Sequence, residues 1–500
     1  MSAIASAMRL SELLDGFHAV PVEDDCTVSD LALDSRAVGA GCCFVALRGS
    51  RDDGMRFAGD AVARGAVAIL TEQVDARAPG GVPIIHVSGL RQHLGALANR
   101  LYDTPSASVR VFAVTGTNGK TTVAHLAAQA LVLLDGQAGY IGTLGAGPLD
   151  ALEPNPNTTP DVITINRWLA RLRARGARAA TLEASSHALD QGRLDGVRIR
   201  GAAFTNLGRD HLDYHGDMAG YGAAKRRLFE LPDVDAAVIN VDDPFGAGLA
   251  TALAPRLPLV TTSSGHGHGA QRGQADLVAR AIELDATGLR FELVDGDARV
   301  PVASRLIGRF NVDNLLVIAG LLVTAGHELP IIGATLGRLE AVPGRLEHCG
   351  ESASGAAVFI DYAHTPESLA AVLATLRELA PRRLHVVFGC GGDRDRGKRP
   401  LMGACAEGGA DVVVVTSDNP RSERTADIAA EILAGMREPV RARVIEDRAE
   451  AIHQAIAAAG AGDIVLVAGK GHETTQELGG RLQPFSDREQ VRRACQGGGR

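Results

Sequence analysis

The sequence predicts an α/β protein of three domains: a small N-terminal α/β domain over 1–107, a central P-loop-type parallel sheet with helices over 108–342, and a C-terminal Rossmann-like α/β domain over 343–500. Three observations predict it. At 500 residues the chain exceeds what one hydrophobic core holds. Residues 109–134, VRVFAVTGTNGKTTVAHLAAQALVLL, read as strand, glycine loop and helix in immediate succession. Beyond about residue 343, apolar runs of strand length alternate with helical stretches, the pattern of a parallel sheet covered on both faces.

Composition narrows the class. A hydrophobic fraction of 46% with 22% charged residues describes an ordinary globular protein, and the net charge of −8 argues against wholesale nucleic-acid binding. Seven cysteines without C-x-x-C spacing fit free thiols in a reducing cytosol better than a disulfide framework or a zinc site. The start, MSAIASAMRL, lacks the apolar stretch of a signal peptide, and no run of about 18 apolar residues marks a membrane span. A cytoplasmic protein with no nucleic-acid partner, acting as a monomer, is expected.

In the first domain, Cys43–Leu47, Ala66–Leu70 and Pro83–Val87 read as strands, with a helix over Phe57–Arg64 between the first two. Asp34-Ser35-Arg36 follows the short run Leu31–Leu33 and by itself reads as a solvated turn. The central domain opens on the strand Val109–Val114. Val123, Leu126, Ala127, Ala130, Leu131 and Leu134 then form one apolar helical stripe after the loop Thr115–Thr122. Between strand and helix, backbone N–H groups of Gly116, Thr117, Asn118 and Gly119 and the helix N-terminus would face a phosphate. Lys120 would add charge at the β/γ-phosphates, and the hydroxyls of Thr121 and Thr122 stand where one can hold Mg²⁺. The G-x-x-x-x-G-K-[ST] pattern is imperfect, with Val at 114. Pro154–Pro160 cannot be a helix interior. The strand Ala177–Leu182 ends at Glu183, and Gly201–Thr205 ends in a polar run through His215; ligands gather at such carboxyl ends. A helix near Tyr221–Phe229 and a strand over Ala236–Asn240 follow.

The tract Gly265-His266-Gly267-His268-Gly269 reads as a glycine-rich loop, not a metal site. Gly389–Arg394 lacks the third glycine of a dinucleotide fingerprint, so no nicotinamide or flavin is expected. In the third domain, strands over Val358–Ile360, Leu384–Phe388, Val412–Val415 and Ile464–Ala468 alternate with helices such as Ser368–Leu379 and Ala426–Met436. Each strand ends in a polar cluster: Asp361–His364, Gly391–Lys398, Asp418–Arg421 and Gly469–Glu473. The glycine-rich tail Gln496–Arg500 reads as frayed.

Together these motifs resemble the Mur ligase family of cytoplasmic ATP-dependent amide-forming enzymes. The resemblance rests on Asp34-Ser35-Arg36, TGTNGKTT, Asn157-Thr158-Thr159-Pro160, Glu183-x-Ser185-Ser186-His187, Asp210–Asp213, Ala224-Lys225-x-x-Leu228-Phe229, Gly308–Asn314, Gly344-Arg345 and Asp361–Pro366. The quartet Asp418-Asn419-Pro420-Arg421 looks like that of members that add meso-diaminopimelate to UDP-N-acetylmuramoyl-L-Ala-D-Glu in peptidoglycan synthesis.

The resemblance implies an acyl phosphate formed from ATP on the D-glutamyl carboxylate, then attacked by the amine. It implies catalytic roles for Lys120, Glu183, His211 and Lys225, with Mg²⁺ held by Thr121, Glu183, His211 and a carbamylated Lys225. ATP contacts would add Asn314, Arg345, Asp361 and His364 to the loop residues. The muramoyl dipeptide would meet Asn157, Thr158, Thr159, Ser185, Gln191 and Arg193, with uridine near Leu33 and Ser35. Arg394, Asp418, Asn419, Pro420, Arg421, Gly469 and Glu473 would form the diaminopimelate pocket. There Arg421 would pair the distal carboxylate bidentately, and without one it would be a poorly compensated charge. A lysine-adding member of the same family, or a P-loop ATPase that is no ligase, are the alternatives.

Overall fold

In the computed structural model the described residues are 7–49, 52–77, 80–265, 275–285 and 287–496. The tract at His266–Gly269, the first six residues and the last four lie outside them. The chain forms two compact units, Met1–Arg280 with Glu292–Pro301 and Asp313–Leu336, and Ala281–Phe291 with Val302–Val312 and Gly337–Arg500. Among the described residues no helix is long and apolar enough to cross a membrane. All seven cysteines are free.

The first unit is built on a small all-parallel sheet and the mostly parallel centre of a larger one. The smaller one pairs Asp30–Ala32, Cys42–Ala46, Ala66–Thr71 and Ile84–His86 in chain order, all parallel. The expected strands are there, each shifted by a residue or so; the expected helix is a 3₁₀ turn over Gly54–Phe57 leading into Ala58–Ala63. Around the larger sheet's centre, Arg110–Thr115 lies between Ala179–Glu183 and Ile199–Phe204, parallel to both. Ala237–Asn240 and Leu259–Ser263 extend one side, and the antiparallel hairpin Ala138–Gly142/Gly145–Pro148 the other. These strands are mostly buried because helices cover both faces, which leaves little alternation to read.

Residues 1–107 and the central segment share one hydrophobic cluster, in which Leu31, Leu94 and Leu101 join Val111, Leu169 and Leu182. Polar contacts reinforce it. On the helix Val162–Ala174, Arg167 Nη2 donates to Asp30 Oδ1 at 2.9 Å and to the Leu31 carbonyl at 2.5 Å, while Tyr102 OH donates to the same Asp30. The strand leading to Leu33 is thereby tied to the helix capped by Asp161, directly after Thr158–Pro160.

The second unit is built on a six-stranded sheet ordered Glu347–Glu351, Ala357–Asp361, Ile464–Ala468, Leu384–Phe388, Val412–Val415 and Arg443–Val444. Only the first strand is antiparallel. Separate apolar clusters fill its two faces. Four of the parallel strands therefore end along one edge, and the four polar clusters expected there all stand on it.

Candidate active site

The phosphate-type loop opens between two parallel strand ends. A Cβ at Gly116 would overlap Thr205 Oγ1, so only glycine fits there. Gly119 takes φ +84° and turns the chain into the helix Lys120–Asp135; a Cβ on it would lie 2.7 Å from Asn314 Oδ1. Asn314 thus sits beside the loop. The loop is also held from outside: Thr205 Oγ1 donates to the Asn118 carbonyl at 2.6 Å, and Asn118 N–H donates to Asn206 Oδ1 at 2.9 Å. Val114 occupies the position where the pattern has glycine because it is still part of the strand, paired with Glu183 and Ala203.

Two lysines converge on one carbonyl. Lys120 Nζ donates to the carbonyls of Gly116 and Thr117, each at 2.9 Å, and Lys225 Nζ donates to Gly116 at 2.7 Å. Lys225, on the helix Met218–Arg226, is 1% exposed and lies 4.2 Å over the Tyr221 ring. Burial, and then the neighbouring Lys120 charge, hold its pKa well below the ordinary lysine value. Among the described residues no carboxylate forms an ion pair with it. Asp210 opposes the lowering only in part, so the buried amine spends more time neutral, and the neutral amine is the nucleophile that carbamylation requires.

Glu183 ends its strand fully buried. Thr121 Oγ1 donates to Oε2 at 2.8 Å, Thr143 N–H donates to Oε1 at 2.8 Å, and Tyr140 OH also donates to Oε1. Octahedral Mg²⁺ with bonds of about 2.0–2.1 Å places adjacent ligand oxygens about 2.9 Å apart. The Thr121–Glu183 spacing matches that edge, and all-oxygen donors suit a hard cation, so these residues fit Mg²⁺. His211 lies near by in the left-handed region, φ +52°, with its ring 4.8 Å from that of His187. Burial lowers its pKa first; Asp210 opposes this, while Lys120 and Lys225 add to it, which favours the neutral imidazole, the form able to ligate a metal. Thr121 and Glu183 are in direct contact, and Lys225 meets the loop at the Gly116 carbonyl.

The residues expected at the muramoyl dipeptide form one connected cluster. Thr159 Oγ1 donates to the Glu183 carbonyl at 2.6 Å and accepts from Ser185 N–H at 3.0 Å. Arg193 Nη1 donates to the Thr159 carbonyl at 2.6 Å, and its Nη2 to Gln191 Oε1 at 2.6 Å. Thr143 Oγ1 donates to Thr158 Oγ1 at 3.2 Å, and Asn157 is exposed beside it. Ser35 is buried in a 3₁₀ turn capped by Asp34, while Arg36 of the same turn is exposed; Leu33 is half-buried. The turn expected at Asp34–Arg36 is present, with its serine turned inward.

In the second unit, Arg345 stacks 4.7 Å over Tyr362, and Asp361 accepts from the N–H groups of Leu346 at 2.6 Å and Ala363 at 2.7 Å. His364 lies against Tyr362, with ring centroids 4.6 Å apart. At the neighbouring strand ends, Gly392 N–H donates to the Asn419 carbonyl at 2.9 Å and Arg421 Nη1 donates to the Gly392 carbonyl at 2.6 Å. Asn419 Nδ2 donates to Glu473 Oε2 at 2.9 Å, and the buried Lys470 bridges the same two side chains. The Asp418 carboxyl is buried, 2.5 Å from where a Cβ on Gly469 would stand, and Arg394 is exposed.

Arg421 departs from expectation. It adopts φ +53°, and its Nε lies 3.4 Å from Glu477 Oε2, so without a ligand its charge is compensated by the chain itself. Sequence reasoning gave no role to Tyr140, Thr143 and Glu477, none of which stands in a motif, nor to Lys470 within the Gly469–Glu473 cluster. The one local signal was Gly142, where a Cβ would overlap Glu183 and Tyr140.

Residues 27–102 match a family model described as Mur ligase family, catalytic domain; 114–322 match the Mur ligase middle domain; and 344–471 match the Mur ligase, glutamate ligase domain. The UDP-N-acetylmuramoyl-L-alanyl-D-glutamate–2,6-diaminopimelate ligase of Xanthomonas campestris pv. campestris is 50% identical over 492 residues, 97% of this chain and 96% of that one. The protein of the same name from Xylella fastidiosa is 48% identical, covering 97% of each. A solved structure of a ligase with this name superposes with TM-score 0.71 at 36% identity, over 98% of this chain and 99% of the other.

Proposed function

The chain belongs to the Mur ligase family, and on that premise we propose that it joins meso-2,6-diaminopimelate to the D-glutamyl carboxylate of UDP-N-acetylmuramoyl-L-Ala-D-Glu, converting ATP to ADP and phosphate. It is a ligase of peptidoglycan synthesis, and a cytoplasmic setting suits both substrates. The observation that carries the reading is the end-to-end likeness to ligases of this name.

The chemistry follows from the geometry of the first unit. A carboxylate does not react with an amine in water until its oxygen becomes a leaving group. Transfer of the γ-phosphoryl from ATP to the D-glutamyl oxygen gives an acyl phosphate and ADP; the amine then displaces phosphate and forms the amide. Both phosphoryl partners are anions, so positioning and charge neutralisation dominate the barrier. Lys120 leaves its loop carbonyls to meet the transferring phosphoryl, while the first-turn N–H groups of its helix receive the phosphates. Thr121 and Glu183 would hold Mg²⁺, which supplies Lewis-acid neutralisation of the phosphate charge when bound. Tyr140 and Thr143 fix the Glu183 carboxylate so that its Oε2 faces Thr121. A carbamylated Lys225 would carry a negative charge where a bare ammonium would repel a cation, and His211 would be the remaining metal ligand. Arg193, Thr159 and Ser185 receive the dipeptide, and the Asp418–Arg421 loop with Glu473 receives the diamino acid.

The test is a ligation assay across amino acids. Phosphate release that requires both the UDP-muramoyl dipeptide and diaminopimelate is expected; release independent of either substrate removes the ligase reading, and preference for lysine selects the lysine-adding alternative.

A further inference from the structure

Resting on that reading, we propose that Glu477 is a positioning residue that sets how strictly Arg421 selects the diamino acid's distal carboxylate. Glu477 belongs to a hairpin of two strands, Thr475–Leu478 and Arg481–Pro484, that pairs with neither sheet. Its connection is to the selecting loop. Arg421 N–H donates to the Glu477 carbonyl at 3.1 Å, the Arg421 carbonyl accepts from Gly480 N–H at 3.2 Å, and Glu477 N–H donates to Asn419 Oδ1 at 3.0 Å. The left-handed φ of Arg421 is what turns both of its backbone groups toward the hairpin. The Glu477 carboxylate is then carried to within 3.4 Å of Arg421 Nε. Nη1 of the guanidinium donates to the carbonyls of Gly392 and Asn419, and Nη2 makes no hydrogen bond among the described residues.

This arrangement makes a selection device with a resident competitor. A ligand carboxylate that approaches the Nη2 edge meets a cation already paired, and must share it with, or displace, a like charge. An amino acid without that carboxylate leaves the Arg421–Glu477 pair intact and strands no charge. Both effects narrow the gap between diaminopimelate and lysine. Removing the carboxylate of Glu477 widens it. Both side chains are partly exposed, so solvent screens the pair and the effect is modest, about two- to fivefold.

The experiment compares kcat/KM for diaminopimelate and for lysine in wild type, Glu477→Gln, Arg421→Ala and the double variant. Glutamine keeps the size and the backbone bridge and removes only the charge. The expected result is a diaminopimelate-to-lysine ratio raised about two- to fivefold in Glu477→Gln, with KM for diaminopimelate lowered, and no effect of the same change when Arg421 is alanine. An unchanged or lowered ratio overturns the proposal, and so does an equal effect in the Arg421→Ala background, which marks a structural role or direct binding of the distal ammonium. A wild-type enzyme that does not ligate diaminopimelate removes the underlying reading, and with it the proposal; a wild type that does, with an unchanged ratio in Glu477→Gln, removes the proposal alone.

Discussion

Lys225→Met separates stability from function at a single buried atom. The Lys225 ammonium carries three donors; the structure gives it one carbonyl acceptor, on Gly116, and the face of Tyr221. A buried donor without a partner costs about 1–3 kcal/mol, and methionine fills similar space without one. In buffer freed of carbon dioxide, where no carbamate forms, Lys225→Met is therefore expected to be more stable than wild type by about 1–3 kcal/mol. Guanidinium unfolding reads this as a shifted midpoint at unchanged slope. The pH dependence has a definite sign. Burial and Lys120 hold the folded pKa below the unfolded value of about 10.4, so the unfolded chain binds more protons between the two. Wild-type stability from this group is lowest below the folded pKa and rises with pH until about 10.4, and the methionine variant lacks that component of the slope. Activity moves the other way. Loss of one preorganised charge costs on the order of 10²–10³ in rate, and acetate or formate is expected to restore part of it in Lys225→Ala, where space for an anion remains. Carbon-13 bicarbonate should give a carbamate signal in wild type that the variants lack. A methionine variant less stable than wild type under these conditions, or one that ligates at the wild-type rate, refutes the reasoning.

Three further outcomes are expected. Lys120→Ala abolishes ligation with an unchanged circular dichroism spectrum, since Nζ donates to two carbonyls of its own loop and its role is charge stabilisation in phosphoryl transfer; near-native turnover would remove the phosphate-loop assignment. Arg421→Ala weakens diaminopimelate use by about one to two decades and narrows the gap to lysine, the cost of one charge-assisted pair, read from kcat/KM on the two amino acids. Arg448→Met destabilises the second unit by about 3–5 kcal/mol, because Arg448 and Asp487 are both fully buried, paired at 2.7 Å, and the arginine also holds the carbonyls of Ser417 and Ala468 beneath the amino-acid loops; an unfolding midpoint within error of wild type would contradict it.

The elements legible without coordinates were those whose signal is local. Six apolar residues, a glycine loop and a helical stripe are contiguous between 109 and 134, and they announce a phosphate site whatever surrounds them. The strands Leu384–Phe388, Val412–Val415 and Ile464–Ala468 were placed to the residue, because β-branched runs bounded by polar clusters leave little freedom at their ends. The order of motifs along the chain was enough to indicate the family. What tertiary structure alone decided is which residues from distant segments share an atom. Lys225 reaches the carbonyl of Gly116 across 109 positions, and Tyr140 reaches Glu183 across 43; neither pairing leaves a periodicity or a spacing to read. The same holds for charge. In sequence Arg421 is a basic residue after a proline, and only the hairpin that returns some 50 residues later shows that its counter-ion is Glu477. Pattern reports what neighbouring residues need of one another, whereas a pKa, a metal edge or an ion pair depends on distances that the fold sets between strangers in the chain.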